Sequence, residues 1–399
     1  MGPSPGSRGP PPGSGPAERG GTPVIATVDC FHVRLPAKAT FMLVGGAFAR
    51  PGAPSPGVFV RVRSADGRGG LGRGHPLSHL DVRDRREHRL GPPAVSCAGR
   101  GGALRVGSGR HHHAMDRAIA PGWSKGQPLA KAAVDVAVHD LLGRHLGVPI
   151  HRLLGGRRVA EITLAHLVTS DRPEEAGAIA RAGLEAGCTA FKVKVGIHGL
   201  AGDLAMVRAV REAIGPSRFL WVDANQGYSP DEALRQARAL QELGVAVFEQ
   251  PVPADAIGGL QRLVGSCPLP VALDESLRDP AQLYELARLG AVGGAILKVQ
   301  RSGGLWPGRA MVAVAEAARV PLLGSGLCET DLGLTASLHL FAAAGVAVPV
   351  DLNGRQFVES PFASGLEVGP GGRARVPDGP GLGIAVDGAW IEAHGSDPA

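Results

Sequence analysis

From about residue 160 the chain repeats one unit: a short apolar, β-rich run, a polar break, then an amphipathic stretch. The runs read ITLAHLV (162–168), AFKVKV (190–195), FLWVDA (219–224), VAVFEQ (245–250), PVALDE (270–275), AILKV (295–299), VPLLGS (320–325) and VAVPVD (346–351). From the second onward they recur every 24 to 29 residues, separated by helix-like segments such as PEEAGAIARAGLEAG and PDEALRQARALQELG. Strands that alternate with helices must lie parallel and be joined by crossovers. Eight of them favour a closed (β/α)8-type barrel over an open doubly wound sheet. No glycine-rich dinucleotide fingerprint follows any of the runs, which weakens the open-sheet reading further.

Residues 23–150 follow another grammar. VIATVDCFHVRL and GVFVRVRSADG read as two antiparallel strands, and LAKAAVDVAVHDLLGRHLG reads as a helix. This is an α+β domain ahead of a barrel at 151–355. The turns and short strands of 356–399 are expected to pack back on that first domain. Residues 1–22 hold 7 Gly and 6 Pro and no apolar h-region, so they read as a disordered tail and not a signal peptide.

Composition removes several function classes. The 399 residues are 44% hydrophobic, which excludes wholesale disorder. No apolar run approaches the ~20 residues of a membrane span. Five scattered cysteines (Cys30, Cys97, Cys188, Cys267, Cys328) lack CxxC spacing, which favours free thiols in a reducing cytoplasm. The net charge of +6 arises between Arg68 and Arg110, where nine arginines face three acids, so the remainder balances. That segment has no aromatic residue to stack on a base, so no nucleic-acid partner is expected.

Barrel enzymes carry their chemistry on the C-terminal ends of the strands. Strand two ends in Lys192-Val193-Lys194, and period-two alternation turns both lysines to the same side, into the barrel mouth. Strands three, four and five end at Asp223, Glu249 and Asp274, and strand six at Lys298. Three carboxylates from consecutive strands supply the hard oxygen donors that Mg2+ prefers, with Mn2+ as a substitute. In a ring of eight, strands two and six are opposite, so Lys194 and Lys298 should face each other across the mouth. A carboxylate substrate on Mg2+ would lose its α-proton to one lysine, with the metal stabilising the enediolate. The Lys192 ammonium and the cation would both lower the pKa of that base. A lysine on each face allows the proton to return to the other side, giving racemisation or epimerisation.

FKVKVG, WVDANQGY, FEQP, ALDES and ILKVQRSGG resemble the enolase superfamily, specifically its muconate lactonizing enzyme subgroup, over about residues 23–67 and 114–390. The resemblance implies an N-terminal α+β capping domain and a (β/α)7β TIM-like barrel. It implies Mg2+ held by Asp223, Glu249 and Asp274, with Lys194 and Lys298 as the acid/base pair and Lys192 as electrostatic helper. The implied activity is a racemase, epimerase or cycloisomerase acting on a small-molecule carboxylate. The alternatives are a dehydratase working by β-elimination and a catalytically impaired paralogue. A homo-oligomer is also expected.

Substrate contacts are less sharply written. Dipeptide epimerases of the subgroup carry Asp-x-Asp at the eighth strand, where this chain reads Asp351-Leu352-Asn353. Asn353 lacks the second negative charge, which argues against a free α-amino dipeptide. Phe41 and Met42 are lid candidates in the loop KATFMLVGGAFARPG, and Glu329 is a pocket candidate after strand seven. Gly324-Ser325-Gly326 could offer backbone N–H groups to a carboxylate. His166 is a possible pocket residue outside the catalytic set. His139 and His339, on apolar helices, read as core or interface histidines. The run His111-His112-His113 reads as a solvated loop.

Residues 68–113 stand apart. From Arg68 to Arg110 there is no Ile, Phe, Tyr, Trp, Thr, Asn, Gln or Lys, and no helical period. The family's strand usually runs into Gly-Trp-Gly-Glu, whereas here Gly70 is followed by Leu71-Gly72-Arg73-Gly74. A reading-frame slip in GC-rich DNA is compatible with this, and a divergent disordered insertion is the alternative.

Overall fold

The computed structural model of the 399-residue chain describes residues 23–43, 46–65, 67–74, 109–119 and 126–396. The expected tail at 1–22 lies outside these residues. Strands β1 (Ile25–Pro36), β2 (Pro54–Ser64) and β3 (Gly69–Gly74) form an antiparallel sheet, which Gly395–Ser396 extends on the β1 side. Helices α1 (Arg110–Ala118) and α2 (Pro128–Leu146) follow. Proline in the first turn starts α2, and Gly147 at φ 69° ends it. A Cβ on Gly70 or Gly72 would come closer than 3.0 Å to the carbonyl oxygens of Ala137 or Ala133. Glycine at these alternate positions of β3 is therefore what lets α2 lie directly on the sheet.

The segment set at 68–113 is described at both of its ends. Gly69–Gly74 pair with β2 in regular register, and 110–113 form the first turn of α1. Residues 75–108 lie outside the described residues.

The second sheet has seven parallel strands: β4 (His166–Val168), β5 (Ala190–Lys194), β6 (Phe219–Asp223), β7 (Val247–Glu249), β8 (Val271–Leu273), β9 (Gly294–Leu297) and β10 (Leu322–Gly324). Each pairs with its sequence neighbours, and helices alternate with them. Side chains along β5, β7, β8 and β9 are buried throughout, as expected for strands covered on both faces. Bridges from Val350 to Leu164 and from Asp351 to Ser325 close the curled sheet between its two edges. The architecture is an α/β TIM-like barrel. The first apolar run differs from its reading as one strand: Glu161–Thr163 pair antiparallel with Arg373–Arg375, and only His166–Val168 join the barrel.

Local signals start the helices at the strand ends. Ser229 and Glu232 form a reciprocal capping box before Pro230–Glu242, and the Asp279 side chain caps Pro280–Arg288. Helices α3 (Leu305–Ala318) and α4 (Asp331–Ala344) flank β10. The C-terminal residues reach the antiparallel sheet, where Phe362 meets Phe59 edge-to-face at 4.9 Å and Glu392 pairs with Arg61. Among the described residues no helix is long and apolar enough to cross a membrane.

Candidate active site

At the C-terminal ends of β5 to β9 the structure gathers every strand-end residue singled out from the sequence. Lys192 Nζ is fully buried, 2.6 Å from Asp351 Oδ2, 2.7 Å from Glu249 Oε2 and 3.0 Å from Asp223 Oδ2. Its ammonium stands 4.4 Å from the centre of the Trp221 ring. Lys194 Nζ donates to Asp223 Oδ2 at 2.7 Å and to Asn225 Oδ1 at 2.8 Å. Lys298 Nζ donates to Asp274 Oδ2 at 2.7 Å. The carboxylates of β6, β7 and the β8 end therefore form a row, with Lys194 on one terminal member and Lys298 on the other.

The electrostatics follow from burial set against these contacts. Burial opposes ionisation of Asp223, but the Lys192 and Lys194 ammonium groups outweigh it and hold the carboxyl well below its usual range. Glu249 goes the other way. Burial, then the Asp223 charge, push it up to about 7. Burial and Asp223 likewise raise Glu275. Burial disfavours the Lys192 charge, yet Asp223, Asp351 and Glu249 together hold it well above the ordinary lysine value. Lys192 is thus a fixed ammonium at any physiological pH. Neither Glu249 oxygen has a well-aligned hydrogen-bond donor among the described residues, although the Lys192 ammonium lies close to one of them.

Two neighbours of this row were missed in the sequence. Arg301 pairs with Asp274 Oδ1, and burial lowers its guanidinium to about 10. It lies three residues beyond Lys298 in ILKVQRSGG, on the turn leaving β9, which was the available signal. Gln250, in FEQP, holds positive φ (31°) and accepts from the N–H groups of Asp274 and Ser276 at 2.9 and 3.2 Å. It fixes the Asp274 backbone from the neighbouring strand end.

The remaining candidates fare differently. Asp351 does not stand open toward a ligand, since Lys192 holds its Oδ2 and Asn353 Nδ2 donates to its Oδ1 at 2.6 Å. Phe41 packs edge-to-face on Phe357 at 4.9 Å, with its ring centre 6.0 Å from Lys194 Nζ. The Met42 backbone exchanges hydrogen bonds with Thr169, just past β4, which ties this loop to the mouth. Glu329 is buried, closely packed against the backbone of Gly326 and Gly354.

Three expectations are corrected. Ser325 and Gly326 do not offer their N–H groups to a ligand, because these already donate to Leu297 O and Asp351 O in the barrel closure. His166 is turned toward the helix layer, where its ring lies against Gly183 and 6.0 Å from that of Phe191. The histidine run is no solvated loop: His111 and His112 are buried against Asp135, and only His113 is exposed. His139 and His339 are core residues whose rings bond the backbone carbonyls of Asp135 and Leu382.

A family described as enolase C-terminal domain-like matches residues 175–390, more than half of the chain. The mandelate racemase / muconate lactonizing enzyme N-terminal domain matches 53–155. The chain belongs to the enolase superfamily. Its relatives place it in the muconate lactonizing enzyme subgroup, among isomerases. It is 32% identical to an L-Lys-D/L-Arg epimerase of Methylococcus capsulatus over 82% of this chain and 90% of that protein. It is 35% identical to muconate cycloisomerase 1 of Rhodococcus opacus over 65% of this chain and 70% of that one. Among solved structures, a dipeptide epimerase of Enterococcus faecalis V583, complexed with Mg and the dipeptide L-Leu-L-Tyr, superposes with a TM-score of 0.81 at 26% identity. It covers 91% of this chain and 99% of that one. The protein is therefore an isomerase of this superfamily.

Proposed function

We propose that this isomerase moves the α-proton of a small carboxylate substrate, with Lys194 and Lys298 as acid/base groups on opposite sides of it. The observation that carries the reading is the row of Asp223, Glu249 and Asp274 with one lysine at each end. Lys192, held charged by its carboxylates, keeps a permanent positive charge beside Lys194. The N-terminal α+β unit acts as a cap, with Phe41 and Met42 at the rim of the mouth.

The donor set suits Mg2+. Glu249 is a buried carboxyl pushed up to about 7 and short of hydrogen-bond donors, the state in which a carboxylate gains most from a nearby cation. Asp223, Glu249 and Asp274 would hold the ion, with Mn2+ as a substitute. When bound, it supplies positive charge that stabilises the negative charge developing on the substrate carboxylate.

Asp351 and Asn353 set the substrate class. Lys192 engages Asp351 Oδ2 and Asn353 donates to its Oδ1, so neither oxygen is open to a substrate ammonium. The reading therefore favours carboxylates whose α-nitrogen is acylated or absent over free dipeptides. Incubation with a carboxylate library in D2O, followed by NMR, tests it. Exchange at the α-carbon with the molecular formula conserved is the expected result. Absence of exchange for every compound, from folded protein with Mg2+ present, contradicts it, and a keto-acid product would mark a dehydratase instead.

A further inference from the structure

A second group of metal-ligating side chains is buried where α1, α2 and the start of α3 meet. His111 and His112 are 3% and 8% exposed, and Asp135 is fully buried. The Nε2 atoms of the two histidines lie 2.7 and 2.8 Å from the same carboxylate oxygen, Asp135 Oδ1. One donor atom from each of the three residues falls within 4.8 Å of the others. The second carboxylate oxygen, Oδ2, accepts from the N–H groups of Leu305 at 2.5 Å and Trp306 at 3.4 Å. Gly304 leaves the room for this, since a Cβ there would overlap the Asp135 carboxylate. One oxygen is thus fixed by the N-terminus of α3 and the other is presented to two imidazoles.

Two imidazole nitrogens and one carboxylate oxygen form a donor set that suits Zn2+ and related dications. Ligand bonds of roughly 2.0–2.2 Å at tetrahedral angles separate neighbouring donor atoms by about 3.3 Å. The nitrogen–oxygen separations at Asp135 would need to open by about 0.5 Å to reach that spacing. The two Nε2 atoms, within 4.8 Å of each other, must come to the same spacing. Rotation of rings that both leave the first turn of α1, with His112 at the edge of the buried region, supplies these shifts. His111 Nδ1 has no hydrogen-bond partner among the described residues, so the tautomer of its ring is set by whatever sits at Nε2. His139, one turn further along α2, stands edge-on to His111 at 5.8 Å and closes the side of the group. Lys131, bonded to Asp116 at 2.7 Å and to Ile119 O at 3.0 Å, anchors the other end of α1.

We propose that His111, His112 and Asp135 form a binding site for a Zn2+-type dication, distinct from the barrel carboxylates, that fastens α1 to α2 and α3. A water or a small anion would complete the coordination. The site takes no part in the isomerase chemistry and stands whether or not the reading of the barrel mouth holds.

The test uses the full-length protein, stripped with a chelator, reduced, and reloaded with Zn2+ in excess Mg2+. Metal per chain is then counted after gel filtration. Wild-type protein and the barrel variant Asp223→Asn should each retain about one Zn2+ per chain at this site. His112→Ala and Asp135→Asn should weaken Zn2+ binding at least ~100-fold, since changes in outer-shell partners alone cost ~10–100-fold. Asn at 135 keeps an acceptor for the Leu305 N–H, and circular dichroism shows which variants are folded. If Asp135→Asn does not fold, His112→Ala decides alone. Wild-type protein that retains no Zn2+, folded variants that retain it as tightly as wild type, or retention lost in Asp223→Asn instead would each overturn the proposal.

Discussion

Replacing Lys192 by methionine preserves side-chain length and removes one charge from the centre of the mouth. In the wild type that charge serves Asp351 at 2.6 Å, Glu249 at 2.7 Å and Asp223 at 3.0 Å, all buried. Removing one partner of a buried ion pair costs about 3–5 kcal/mol, and here three acceptors lose the same partner. Proton uptake limits the loss. Glu249 already stands at about 7, raised by burial and Asp223 and held down chiefly by Lys192, so without Lys192 it rises further and is neutral at pH 7. A carboxyl with a raised folded-state pKa binds more protons folded than unfolded. Its stability contribution is complete below the unfolded pKa and is lost as pH rises through the folded one. Lys192→Met should therefore cost more at pH 8 than at pH 5, by up to about 1 kcal/mol from Glu249, whose rise counts only between about 7 and pH 8. Urea unfolding in metal-free buffer measures this, with tryptophan fluorescence as the probe. An equal loss at both pH values, or a loss at pH 8 below ~1 kcal/mol, would refute the reasoning.

Asn353→Asp restores the charge missing from Asp351-Leu352-Asn353. It should raise exchange of free-amino dipeptides relative to N-acyl amino acids by ~10–100-fold, the size of one charged hydrogen bond. No gain from the folded variant in competitive D2O exchange would contradict the substrate reading. His339 supplies a pH test of the fold. Burial lowers it from 6.5 to about 4 despite its bond to Leu382 O, so its stability contribution is complete above 6.5 and is lost as pH falls toward 4. Urea midpoints should decline over that window by about 3 kcal/mol in free energy, and His339→Gln should flatten the decline.

The barrel was legible because each parallel strand, buried on both faces, must be an apolar run, and its chemistry must sit where that run ends. Lys194, Asp223, Glu249, Asp274 and Lys298 all occupy such ends. Residues that act from turns, such as Arg301 and Gln250, carry no comparable positional rule. The Ser325 and Gly326 amides were misread because the barrel closes through the two-residue segment Val350–Asp351, too short to show how the ladder uses those groups. The histidine run was misread for a related reason. Its burial depends on Asp135, more than twenty residues away, and on the α3 N-terminus, neither of which leaves a local pattern at 111–113. Gly70 and Gly72 carry their reason in α2, which presses on that strand from more than sixty residues further along the chain.

The central claim is that two lysines, one at each end of the carboxylate row, serve opposite faces of one substrate. Single variants Lys194→Ala and Lys298→Ala, assayed in D2O with each enantiomer of a turned-over substrate, test it directly. Each lysine should remove the α-proton of only one hand. Lys298→Ala should then lose exchange from one enantiomer by ~10²–10⁴-fold and largely spare the other, with Lys194→Ala giving the mirror result. If both folded, metal-loaded variants lost both enantiomers equally, the two-base arrangement would be wrong, and one lysine would be acting only as a charge.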